Sequence, residues 1–477
     1  MLHERSRHGI FKRKVFSART LVCLVKSFSL SQWLASLVML GSSLAADAPD
    51  FAWAVSAGGG KHDKTRGITV DAKGFAYITG EFAGESKFGM QTIKSAGDMD
   101  YFVAKLDPNG KILWARTGGG SQVDRGYGVA VDAAGNVYTT GHYQSADAAF
   151  DGQKVSLVGG YDIFLAKYDA DGKLLWVKTS GGAGYDYGHG AAVDADGNCF
   201  IAGGAAGEMI FDQIKLPNEP GGHIFAAKYS PEGKVLWARV AEGKGSGSAH
   251  GVAVDRKGNS YLGGMAGGAQ TIGGKTLSVP GTQDLAVVKL NPDGEVVWVA
   301  NSGHPNKSAM LHEIAVDAAG NVWGSGMFKG DVQIGDTKST SAGDSNALLV
   351  HFDSSGKLKW ALTGGGAGTD YGLGIAANDS GSCWFSGEFT GEAEIFGRKL
   401  TSKGATDIHV GKLDADGKLL WMQQAGGDKG DNSYTIAVDH EGNAWFSGSC
   451  SGIASFGTHT TTSAGNQDVY VAKLKAK

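Results

Sequence analysis

The sequence predicts an all-β chain folded as a closed ring of seven repeated units, each of four antiparallel strands. Three observations predict it. Tryptophans recur at Trp53, Trp114, Trp176, Trp237, Trp298, Trp360 and Trp421, 61 or 62 residues apart, and so regular a period marks an internal repeat. A turn marker keeps the same step, at Asp71, Asp132, Asp194, Asp255, Asp317, Asn378 and Asp439, each followed three residues later by glycine. An alternating apolar run recurs with them, as YFVAKLD at 101–107, IFLAKYD at 163–169, and on to VYVAKLK at 469–475.

Composition supports this reading. Glycine supplies 77 of 477 residues and proline only 8, with no collagen period. Such a chain has many tight turns between short strands. With 42 % hydrophobic and 19 % charged residues it is no disordered polymer.

The first segment reads as an address. Arg5, Arg7, Lys12, Arg13, Lys14, Arg19 and Lys26 precede an apolar stretch, Leu30 to Leu40, and then the small-residue run Gly41 to Ala46. This order defines a secretory signal peptide. We expect residues 1–45 to be removed by cleavage after Ala45, leaving 46–477 as a single domain in a secreted, periplasmic or cell-surface protein. A retained anchor is the competing reading, but a span needs about 20 apolar residues, and Lys26, Gln32 and several serines interrupt this one. No stable membrane span is expected after cleavage, and the chain is expected to be a monomer.

Cleavage removes seven positive charges and one negative, moving the formal charge from −4 to −10. An acidic domain lacks the basic stripe that nucleic-acid binding requires, so no nucleic-acid partner is expected. Cys199, Cys383 and Cys450 are too few and too scattered for a disulfide framework and are expected to be buried apolar side chains.

Each unit divides into strands in order. GVAVD at 128–132 and NVYTTG at 136–141 join through a turn at Gly135; IFLAKYD at 163–169 joins KLLWVK at 173–178 through Gly172. Aspartate opens such turns by accepting backbone N–H bonds, and glycine takes the left-handed position. Four antiparallel strands every 61 or so residues make a propeller blade. No unit holds a helical apolar stripe of helical length, which excludes a helical solenoid. The first copy opens at its fourth strand, Phe51 to Val55, and the last ends at its third. The N-terminal strand is therefore expected to complete the seventh blade and leave no free edge.

Columns across the copies predict the core. Tyr77, Tyr138, Phe200, Tyr261, Trp323, Trp384 and Trp445 form one aromatic layer, and the repeated tryptophans a second. Valines at 70, 131, 193, 254, 316 and 438 are expected to pack between blades, with the alanines preceding most of them facing the axis. Phe88, Phe150, Phe211, Ile272, Ile334, Phe396 and Phe456 are expected to pin the segment between second and third strands, leaving a Ser/Thr/Gly rim.

The unit D-x-F-x-A-K-L-D-x-x-G-K-x-L-W, then G-G, then D-x-G-x-G-V-A-V-D-x-x-G-N-x-Y-x-T-G is clearest at 100–141 and 162–203. It resembles the SBBP-type bacterial β-propeller repeat over most of 51–477. Departures are Ser230 and Gly247 in the fourth copy and Ala309 and Glu313 in the fifth. The resemblance implies a secreted seven-bladed propeller in a family without a common catalytic residue set, so it carries over no site residues.

A binding site must break a sevenfold surface. Five residues before the turn marker stand Arg66, Tyr127, His189, His250, His312, Leu373 and Tyr434, at one level of the innermost strands. Arg66, Tyr127, His189, His250, His312 and Tyr434 are the candidate ligand-binding residues. The three consecutive histidines, with His223, His304 and Glu313 nearby in sequence, raise a second expectation, a divalent metal such as Zn(II) or Cu(II). The competing reading is hydrogen-bonded, half-buried imidazoles between blades.

A second column, Asp63, Asp124, Asp186, Asp370 and Asp431, suits either Ca²⁺ or a cationic ligand, or a repeated loop cap; its recurrence favours the cap. No G-x-S-x-G elbow, H-E-x-x-H helix or Walker loop is present. The expected function is a non-catalytic binding or interaction scaffold for an extracellular polysaccharide or a protein partner. The alternative is a hydrolase or lyase acting on polysaccharide at the channel mouth.

Overall fold

The computed structural model describes residues 48–216, 221–278, 283–306 and 308–476. The expected leader, residues 1–45, lies outside them. Every regular element among the described residues is a strand, and no helix is long and apolar enough to cross a membrane.

The strands form seven antiparallel sheets in a ring. Blade 1 runs from its inner strand Asp63–Val70 through Ala76–Phe82 and Asp100–Leu106 to its outer strand Ile112–Gly119. Blades 2 to 6 repeat this order, with inner strands Asp124–Val131, Tyr187–Val193, Glu242–Val254, Ala309–Val316 and Tyr371–Ala377. Blade 7 takes three strands from the C-terminal end, Asn432–Val438, Ala444–Cys450 and Asp468–Leu474, and its outer strand Phe51–Gly59 from the N-terminal end. Phe51 pairs with Leu474 and Ala57 with Val469, so the ring closes as expected.

Adjacent blades are joined by three repeated devices. The cap aspartates are one. Asp124 accepts N–H bonds from Gly120, at the end of the preceding outer strand, and from Gln144 and Ser145 in its own blade, with the Ser145 hydroxyl 2.6 Å away. Asp63, Asp186, Asp370 and Asp431 do the same between residues four before and about twenty after them. All five are fully buried, so the cap reading holds and they are not a rim of cation ligands. Asp100, Asp162, Asp407 and Asp468 lie near them at four seams, their nitrogen donors at Ala96, Val158, Lys403 and Ala464. Blade 5 has Ala309 at the cap position, and Asn306 stands in, bonding to Asp284, Ser302 and both backbone groups of Gln333.

The second device is a short hairpin after the second strand that adds to the outer strand of the preceding blade. Lys87 pairs with Gly58, Phe150 with Gly118, Ala393 with Gly366 and Ala454 with Gly427. The apolar anchors of these excursions, from Phe88 to Phe456, are buried as expected.

The third is the tryptophan column, whose indole N–H groups donate into the next blade's outer hairpin turn, as Trp114 does to Ala170 and Trp176 to Pro231. The aromatic layer at Tyr77 and its counterparts is buried in every blade. A cation covers six of its seven rings: the ammonium of Lys105, Lys167, Lys228, Lys289, Lys412 or Lys473 lies 4.2–5.2 Å from the ring centre. In blade 5 the imidazole of His351 stacks on Trp323 at 4.3 Å instead. Cys199, Cys383 and Cys450 are unpaired and buried.

The valines at 70, 131, 193, 254, 316 and 438 are half-buried and pack, as expected, against the apolar clusters that adjacent blades share. A more deeply buried aliphatic position lies two residues nearer each strand's start, at Ile68, Val129, Val252, Ile314, Ile375 and Ile436.

Candidate functional site

Every inner strand carries a β-bulge at the same place. Its pairing with the second strand skips one residue: between Thr65 and Gly67, Gly126 and Gly128, Gly188 and Gly190, Ala249 and Gly251, Leu311 and Glu313, Gly372 and Gly374, and Ser433 and Thr435. The skipped residues are Arg66, Tyr127, His189, His250, His312, Leu373 and Tyr434. A bulge re-aims a side chain out of the pleat, and these seven line one end of the central channel, a cavity of about 590 Å³. The structure thus brings together the whole predicted column.

Glycine follows the bulge in five blades because the inner strands converge there. A Cβ on Gly190 would lie 2.7 Å from the Val252 nitrogen, and one on Gly374 2.7 Å from the Ile436 nitrogen. Blade 5 places Glu313 at this position, and its carboxyl also lines the channel.

The seven side chains pack as a collar. The Arg66 guanidinium lies 4.6 Å from the Tyr127 ring and 5.6 Å from that of Tyr434. Tyr127 meets His189 at 4.9 Å, His189 meets His250 at 4.8 Å, and His250 meets His312 at 5.7 Å. Arg66 is held by a two-pronged ion pair with the buried Glu81, both bonds 2.6 Å long. Burial works against the Arg66 charge, but Glu81 overrides it and holds the guanidinium ionised.

His189, His250 and His312 are half-buried and line the channel. Burial lowers His250 to about 4 and His312 to about 3, the latter helped by His250. Burial and the neighbouring His250 and His142 depress His189 well below its ordinary value. All three are neutral at pH 7.

The described residues lend the metal expectation for His189, His250 and His312 no support. The His189 and His250 rings meet at an interplanar angle of 48°, and those of His250 and His312 at 66°. The Nδ1 of His189 is occupied by the Ala249 carbonyl at 3.3 Å and the Ser248 hydroxyl at 3.2 Å. Among the described residues no three His, Cys, Asp or Glu side chains are placed to hold a metal ion. His304 lies elsewhere, bonded to the Gly335 carbonyl at 2.9 Å, and His223 is buried in the third strand of blade 3.

A second tier was missed from sequence. Two residues before each bulge stand Lys64, Arg125, Tyr187, Ser248, Met310, Tyr371 and Asn432, all half-buried, as are the collar residues other than the buried Leu373. Tyr187 stacks on His189 at 5.9 Å with an interplanar angle of 17°, and Tyr161 lies 5.5 Å from Tyr187. Tyr185 continues the path outward at 5.3 Å from Tyr161; its ring is 56 % exposed. On the opposite side Asn432 donates to Glu388 and accepts from Gln467. Burial raises Glu388 to about 7, and burial raises Glu313 to about 8. The readable signal was strand alternation: the residue two before each collar position shares its face, and it is polar or aromatic in every blade but the fifth, which has Met310.

The ring of blades defines a seven-bladed β-propeller. No family model matches the chain. Over 237 residues, 42 % of this chain, it is 26 % identical to an uncharacterized WD repeat-containing protein, L264, of Acanthamoeba polyphaga mimivirus; the match spans 17 % of that protein's length. Among solved structures, it is similar to a protein of unknown function from Bacteroides caccae (13 % identity, 68 % of this chain and 89 % of that one, TM-score 0.36). It is also similar to a gluconolactonase from Xanthomonas campestris (14 %, 73 % and 86 %, TM-score 0.32) and to a PQQ-bound aldose sugar dehydrogenase from Streptomyces coelicolor (14 %, 73 % and 94 %, TM-score 0.35).

Proposed function

We propose that this chain is a non-catalytic binding propeller of the SBBP type, exported by its leader, whose ligand enters the channel through the collar of Arg66, Tyr127, His189, His250, His312 and Tyr434. The observation that carries the reading is the bulge repeated in all seven inner strands, which aims seven differing side chains at one opening. A rigid scaffold with varied residues at one mouth is suited to recognition. An extracellular polysaccharide or a protein partner is the expected ligand class.

A second reading, a hydrolase or lyase acting on polysaccharide, is favoured by Glu313. Its carboxyl lines the channel and burial raises it to about 8, which keeps it protonated at neutral pH and able to donate. Binding of purified chain to a glycan panel, followed by product analysis, tests both. The binding reading expects retention that weakens in Tyr127→Ala without any product. Product formation that disappears in Glu313→Gln overturns it in favour of the enzyme.

A further inference from the structure

The upper tier is chemically lopsided. Across blades 2 and 3 the rings of Tyr185, Tyr161 and Tyr187 form a continuous path from the outer surface down to the collar. Beside it, on blades 1 and 2, stand Lys64 and Arg125; burial and the nearby guanidinium groups of Arg66 and Arg125 lower Lys64, while Glu81 and Glu388 work the other way. Arg66 is neutralised by Glu81, but among the described residues neither Lys64 nor Arg125 is in an ion pair. The Arg125 Nε and the Nδ1 of His142 are enclosed with no hydrogen-bond partner, and the His142 ring lies 5.0 Å from both Tyr161 and Tyr187.

We propose that this mouth binds the acidic end of a glycan, a terminal hexuronate whose ring lies against Tyr161 and Tyr187 and whose carboxylate meets Lys64 and Arg125. The proposal rests on the binding reading above and gives it a ligand class. Tyrosine presents a flat apolar face with a polar tip, which matches the C–H face and rim hydroxyls of a pyranose. Guanidinium and ammonium groups supply the charge-assisted bonds a carboxylate takes. The surrounding body adds selectivity. Residues 46–477 carry a formal charge of −10, so a polyanion laid along the surface is repelled while the cationic mouth attracts a single acidic terminus.

Calorimetric titration with an oligosaccharide ending in a single galacturonate, its methyl ester and sodium sulfate tests this. The acid is expected to bind at least tenfold more tightly than the ester at low salt, with the gap closing as salt rises. The double variant Lys64→Gln, Arg125→Gln is expected to abolish the gap and leave ester binding unchanged. Tyr185→Ala, a change at an exposed ring, is expected to weaken both sugars and leave the melt unchanged. Should the double variant fail to fold, Lys64→Gln alone is expected to narrow the gap. Equal binding of acid and ester overturns the acidic assignment while leaving the binding propeller standing. Sulfate binding as tight as the acid overturns the role of the tyrosine path. No binding of either sugar overturns the assigned ligand, and a protein partner captured at the mouth instead leaves only the general reading.

Discussion

The indole N–H of Trp237 donates to the Pro292 carbonyl, 3.0 Å away in the next blade. The same turn supports the ring: a Cβ on Gly294 would meet the Trp237 ring at 2.6 Å. Trp53, Trp114, Trp176, Trp298 and Trp360 make the equivalent bond with residues 55 or 56 positions on. The repeat length is therefore the chain distance from one lock to its receiver plus the six residues from that receiver to the next tryptophan in the same hairpin.

This relationship separates packing from hydrogen bonding. Trp237→Phe removes chiefly the N–H and should cost roughly 0.5–1.5 kcal/mol. Trp237→Ala empties a nearly buried site and should cost about 3–5 kcal/mol. Urea denaturation of both variants checks the order.

The seam aspartates predict a signed pH effect. Burial raises Asp100 to about 7 from an ordinary 3.8, so the folded state holds its proton more tightly than the unfolded chain. Its contribution is most favourable below about pH 4 and is lost as pH rises to about 7. Asp100→Asn imitates the protonated form and should gain melting temperature relative to the parent between pH 4.5 and 7.5. The comparison must be with the parent, because buried neutral histidines such as His250 and His312 push the whole molecule the opposite way. A difference in melting temperature that stays flat with pH would count against the assignment.

Gly190 tests convergence at the collar. Gly190→Ala brings a methyl group against the backbone of blade 4, with the Val252 nitrogen 2.7 Å away. Overpacking of this kind costs about 1–3 kcal/mol. Gly152→Ala, where no neighbour lies within 4 Å but φ is 82°, is the control for backbone strain alone.

Closure makes the N-terminal strand indispensable. Deleting residues 46–57 strips Val469 to Leu474 of its partner and exposes a flat, apolar edge. Size-exclusion chromatography should show aggregation; a monodisperse product with an unchanged melt would refute this.

The blade count, the strand order, the shared seventh blade and the level of the collar were all legible in the sequence, because each rests on spacing that seven copies repeat. The bulge was not. Alternation cannot reveal a skipped residue where glycine flanks it on both sides, as at 126–128, 188–190 and 372–374. The lysine in each A-K-L run was visible as a charge in an apolar strand, but its seat over Tyr77 or Trp445 depends on a neighbouring strand far off in sequence. The three histidines suggested coordination because level is readable from spacing while ring orientation is not.

Phe51 and Leu474 face one another across a single pair of strands, so the blade at which the chain enters and leaves the ring is incidental to the architecture. Joining the present ends through a short linker and opening the backbone at the exposed turn near Gly330 should yield a circular permutant that refolds to the same molecule. A lineage built this way can shift its start point from blade to blade without altering what the mouth presents.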